Sequence, residues 1–168
     1  MVAVTPPRRP VVVGFTPTAS PRILLEAASL ARAYDVPLIV VFSDPSRFVE
    51  GRRADGSPIV VPVDSDTSEI VDDAPAPQVA EVGARVKGIM TDSGVDDVAV
   101  EVRGLLGEPA TTLAQLAVDI DARFVVVGAR AHGWRASLHE LVEGSVAVHL
   151  SSRQPATVVV VPAAPDTP

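Results

Sequence analysis

The sequence predicts an α/β domain, an open doubly wound five-stranded parallel sheet with helices on both faces. Two observations predict it. Five runs dominated by Val, Ile, Leu and Phe occur in order, VVVGF at 11–15, VPLIVVF at 36–42, DVAVEVRG at 97–104, ARFVVVGA at 122–129 and TVVVVP at 157–162. Between them stand segments whose apolar residues recur at helical spacing, and strands alternating with helices imply parallel pairing through right-handed crossovers.

The first strand is a continuous β-branched run, the pattern of a strand covered on both faces. After the loop TPTASP, Ile23, Leu24, Ala27, Ala28, Leu30 and Ala31 define a helix over 21–34, with Ser20 as cap and Pro21 at the first helical position. The second strand is again wholly apolar. Residues 44–77 differ: Asp, Pro, Ser and Gly surround one apolar island, IVVPV. Ordinary connections are far shorter, so this stretch reads as an exposed excursion with a small hairpin around ADGS.

Val79, Val82, Val86, Ile89 and Met90 share one face of a helix that Ser93–Gly94 stops. The third strand alternates apolar and charged residues and is therefore expected to be less buried than the others. Glu108–Pro109 opens a helix carrying Leu113, Leu116, Ala117 and Ile120, after which the fourth and fifth strands follow. The organisation expected is a tail over 1–10, one domain over 11–163 and a second tail over 164–168.

Composition bounds the function. With 47% hydrophobic but 4% aromatic residues, the core is aliphatic, and 168 residues suffice to bury it without staples. The absence of cysteine excludes a disulfide framework, thiolate metal sites and a cysteine nucleophile. A formal charge of −7 with no basic run beyond the pairs Arg8–Arg9 and Arg52–Arg53 argues against nucleic acid and acidic membranes as partners. The amino terminus does not read as a signal peptide, and no run reaches the roughly 20 apolar residues of a membrane span. A soluble cytoplasmic protein is expected.

Ligands of such sheets bind beyond the carboxyl ends of the strands where the winding reverses. The segment leaving the fourth strand, GARAHGWRASLHELVEGSV, holds the chemistry of interest. Gly128, Gly133 and the pair Gly144–Ser145 would let backbone N–H groups approach an anion, with Arg130 and Arg135 adding charge-assisted bonds. The spacing fits neither a P-loop nor the dinucleotide fingerprint, and each glycine also fits a turn or a close packing contact. His139-Glu140-Leu141-Val142-Glu143 places His139 and Glu143 one helical turn apart, as metal ligands with Glu140 as base would be; the second histidine of the zinc motif is absent, and surface acids account equally for the pattern. Ser145 and His149 lack the surroundings of a catalytic pair. Trp134 and Phe15 are candidates for stacking on a base or for packing.

Three segments together, VVVGF to ILLEAASLARAYDVPLIVVFSDP, then GEPATTLAQLAVDIDARFVVVGAR, then GSVAVHLSSRQPATVVVVP, resemble the universal stress protein family. The resemblance implies strand order 3-2-1-4-5, homodimerisation through the last strand (157–162), and, in one branch, ATP or a related adenine nucleotide bound between strands one and four. It places Thr16 near the ribose, Ser43 where the backbone contacts the adenine, and Gly128, Arg130, Gly133, Gly144, Ser145 and Val146 around the phosphates. Two segments depart from that branch. Its aspartate after the first strand falls at Thr16, followed by Pro17; its middle glycine falls at Ala131, separated from Gly144 by twelve residues where the family has nine, although Gly133 offers an alternative register. The implied role is regulatory or protective binding rather than catalysis, with no catalytic residue and no metal. A nucleotide-free dimeric interaction protein and, more remotely, a metal-dependent hydrolase built on His139–Glu143 are the alternatives.

Overall fold

The computed structural model describes residues 8–52, 54–55, 58–62, 77–129 and 156–162. Along the chain these form β1 (Val11–Gly14), α1 (Pro21–Ala33), β2 (Leu38–Asp44), β3 (Arg47–Arg52), β4 (Pro58–Pro62), α2 (Pro77–Asp92), β5 (Val100–Leu106), α3 (Pro109–Asp119), β6 (Phe124–Ala129) and β7 (Thr157–Pro162).

Five strands pair in parallel in the order β5-β2-β1-β6-β7. Val11 stands beside Leu38 on one side and Phe124 on the other, Leu38 beside Val100, and Phe124 beside Thr157. The numbering departs from a bare five-strand count because β3 and β4 form a separate antiparallel hairpin between β2 and α2. Within the parallel sheet itself, the strands still lie third, second, first, fourth, fifth.

β1 is central because its side chains are aliphatic on both faces. Val11, Val12 and Val13 are wholly buried: Val11 and Val13 meet Leu24, Ala28 and Val82 of α1 and α2, whereas Val12 meets Leu113 and Ala117 of α3. The sheet is thus covered on both sides by helices with small apolar faces, which suits a chain poor in aromatics. β5 sits at an edge, which accounts for its residues being exposed or half-buried throughout. β7 forms the other edge and exposes Val158 and Val160.

Helix ends follow local chemistry. Ser20 Oγ accepts the Arg22 N–H at 3.4 Å, and Pro21 needs no donor there. The Glu108 carboxylate accepts the N–H groups of Ala110 (3.0 Å) and Thr111 (2.7 Å) to open α3. α1 and α3 both close through an aspartate in the left-handed region, Asp35 at φ 50° and Asp121 at φ 51°, a conformation that Asp tolerates better than most residues. Consecutive arginines hold the pair: Arg8 meets Asp35 at 3.2 Å and Arg9 meets Asp121 at 3.1 Å. Since α1 and α3 cover opposite faces, the amino-terminal arm bridges both layers.

The hairpin lies inside the stretch expected to be an exposed excursion, with ADGS in its connection. Exposure is incomplete: Val60 is 2% and Asp44 8% exposed. Asp44 Oδ1 accepts the N–H (3.0 Å) and hydroxyl (2.6 Å) of Ser46, and Oδ2 accepts Arg47 Nε at 2.9 Å. The carboxylate therefore closes the hairpin base where β2 ends.

Candidate functional site

The strand order reverses between β1 and β6, and a crevice opens beyond their carboxyl ends. Its walls are Gly14 from β1, Phe15, Thr16, Ala19 and Ile23 from the β1–α1 connection and helix, Val41 and Ser43 from β2, Pro109 and Leu113 from α3, and Gly128 from β6. The enclosed part measures about 70 Å³, so the described residues make a floor and sides rather than the whole envelope of a nucleotide. None of these wall residues carries a formal charge.

The β1–α1 loop is held from three directions. Phe15, 1% exposed, donates its N–H to Val41 O at 2.8 Å, which extends the ladder and makes the ring a packing residue. The Ala19 N–H returns to Thr16 O at 3.0 Å. From α2, Arg85 donates to Ala19 O at 2.9 Å. Thr16 lies exposed at the crevice mouth in the tight turn so formed.

Ser43 is tied across to α3: its Oγ lies 2.8 Å from Thr112 Oγ1. Thr112 Oγ1 in turn donates to Glu108 O at 3.0 Å and approaches Pro109 O at 3.3 Å. Gly128 has a packing reason for being glycine, since a Cβ there would overlap Ile23 Cδ1. Gly128 also lines the crevice.

Two carboxylates flank the site without lining it. Burial pushes the Asp44 carboxyl up, but hydrogen bonds from Ser46 and Arg47 outweigh this and hold it below the usual aspartate value. For Glu108 burial also acts upward, and the Ala110 and Thr111 N–H groups more than offset it. Both are therefore anions at neutral pH.

The structure brings together Thr16, Ser43 and Gly128, which are distant in the chain. Arg130, Gly133, Gly144, Ser145 and Val146 lie outside the described residues, as do Trp134 and the His139–Glu143 segment. Among the described residues no group of His, Asp and Glu is arranged to hold a metal ion, and no helix is long and apolar enough to cross a membrane. Sequence reasoning missed Ile23, Arg85 and Thr112. Each looks like an ordinary helical residue, and only the register of strands against helices brings it to the site.

The model of the universal stress protein family matches residues 7–162. The chain belongs to the universal stress protein family. Among solved structures, a universal stress protein in complex with cAMP is 19% identical, with a TM-score of 0.56 over 94% of this chain and 98% of that one. A universal stress protein from Archaeoglobus fulgidus in complex with dAMP is 22% identical, with a TM-score of 0.53 over 90% of this chain and 96% of that one. Another from the same organism reaches 24% identity and a TM-score of 0.52 over 90% and 92% of the two chains. These likenesses show the five-stranded α/β fold of universal stress proteins. No curated protein matches the sequence significantly.

Proposed function

We propose that this universal stress protein acts in the cytoplasm as a regulatory or protective binding protein that takes an adenine nucleotide in the crevice between β1 and β6. One observation carries the reading: Thr16, Ser43 and Gly128 converge at the switch point of the sheet, beside an apolar wall of Val41, Pro109 and Leu113. The family membership and the cAMP and dAMP bound by two proteins of the same fold support it. ATP is the ligand the family resemblance implies. Its base and ribose would lie along the described wall, and its phosphates toward Gly128, Arg130, Gly133 and Gly144–Val146. The site is one of binding, with no residue assigned to catalysis.

Calorimetric titration of the folded protein with ATP and with AMP tests this. Saturable heat with either supports the reading, and no heat at millimolar ligand sinks it.

A second reading is favoured by β7, an edge strand exposing Val158 and Val160. Pairing of two such edges would hide the open backbone groups and give a homodimer. If titration finds no nucleotide, the chain acts as a dimeric interaction protein instead. Sedimentation at micromolar concentration checks the dimer, and a monomer mass throughout would contradict it.

A further inference from the structure

Ala19 immediately precedes the cap of α1, so its carbonyl lies outside the helical ladder, whose first bond runs from the Ile23 N–H to Ser20 O at 3.1 Å. Ala19 is 6% exposed, and a carbonyl in so buried a residue needs a donor. The connection itself is poor in donors. Pro17 and Pro21 carry no N–H, the Phe15 N–H goes to Val41 O, and the Ala19 N–H closes the turn on Thr16 O. The donor comes from another helix: Arg85 Nη2 reaches Ala19 O at 2.9 Å.

α2 can supply this donor because its own seat is fixed. Val82 and Val86 pack in the same core cluster as Ala19 and Leu24. Arg85, three residues beyond Val82 and next to Val86, stands at the rim of that buried face, where a long stem can lie along apolar surface while its charged end reaches the connection. α2 contributes none of the described wall residues of the crevice, whereas Thr16, Ala19 and Ile23 are all walls. The bond thus links a helix outside the crevice to the turn that shapes its mouth.

We infer that Arg85 is a positioning residue of the binding site, its bond to Ala19 O holding the turn Thr16–Ala19 in shape before a ligand arrives. The entropy of ordering that turn is then lost on folding and not at binding, which raises affinity without contact between Arg85 and the ligand. The inference rests on the nucleotide reading of the crevice. It extends the site to a helix that forms none of the described walls.

The test pairs a probe of the turn with a probe of the ligand. Arg85→Met keeps an apolar stem and removes the donor, whereas Arg85→Ala removes both. In each variant, amide exchange followed by NMR should show the Ala19 N–H losing protection about tenfold while Val12 and Val13 in β1 keep theirs. AMP should bind each about tenfold more weakly by calorimetry, the low end of what one charge-assisted hydrogen bond is worth. The loss should be the same at low and high salt, because the bond acts on the turn and not on the phosphate. Circular dichroism melts verify that each variant folds. Unchanged AMP affinity in the folded variants overturns this inference while leaving nucleotide binding standing. So does an Ala19 amide equally protected in wild type and variants, a loss that vanishes at high salt, or a loss confined to Arg85→Ala, which would assign the effect to the stem. Absence of AMP binding to the folded wild-type protein overturns both together.

Discussion

Gly128 at the end of β6 and Ile23 in the first turn of α1 are fitted so closely that a Cβ on the glycine would overlap Ile23 Cδ1 and come within 3.3 Å of Cγ1. Gly128→Ala should therefore destabilise the protein by about 1 kcal/mol, because the isoleucine end must rotate away from a packed position. Ile23→Val removes the offending atom, so in that background the alanine should cost little. A double-mutant cycle from urea unfolding measures the coupling; additive effects would mean that the two residues do not meet.

Asp44 ties the hairpin to the sheet, and its carboxyl is held below the ordinary value of 3.8. A depressed folded pKa contributes stability that is fully present above the unfolded value and is lost as pH falls through the folded one. Asp44→Asn should accordingly cost about 1–2 kcal/mol at neutral pH, through the lost charge-assisted bond from Arg47. The gap between wild type and variant should close as pH falls below about 4. Denaturation midpoints from pH 7 to pH 3 follow this, and a gap independent of pH would contradict it.

Glu108 caps α3 with both carboxylate oxygens. Removing such a cap typically costs about 1 kcal/mol, so Glu108→Ala should lower the unfolding free energy by that amount. The folded pKa is again depressed, so this loss too should fade in acid. Glu108→Asp, a residue that caps well, should recover most of the stability. An alanine variant as stable as wild type would show that the cap contributes nothing.

Phe15, 1% exposed, belongs to the hydrophobic core and meets the crevice from beneath. Phe15→Leu should cost about 1 kcal/mol of stability and change nucleotide affinity less than threefold. A large loss of affinity in a stable variant would make the ring a stacking partner instead.

The sheet was legible because its strands are runs such as VVVGF and TVVVVP, bounded by Ser20–Pro21, Gly94 and Glu108–Pro109, whose local chemistry leaves little choice. The tie Asp44-Pro45-Ser46-Arg47 was equally local, since an aspartate followed two residues on by serine is the pattern of a side-chain-closed turn, yet it sat unread within a polar stretch. Ser43–Thr112 and Gly128–Ile23 could not be read. Each joins residues whose separation along the chain carries no sign of contact, and only the sheet register brings them together. Gly128 illustrates the cost: its spacing points to phosphate, whereas its neighbour Ile23 supplies a sufficient packing reason as well.

β1 lies between β2, which follows it directly, and β6, which comes much later in the chain. During synthesis the pairing of Val11–Gly14 with Leu38–Val41 can form early, but the other side of the central strand stays open until Phe124–Ala129 has left the ribosome. The crevice does not exist before then, because Gly14 must wait for Gly128. A small molecule that fits it can select the finished chain but cannot chaperone an unfinished one.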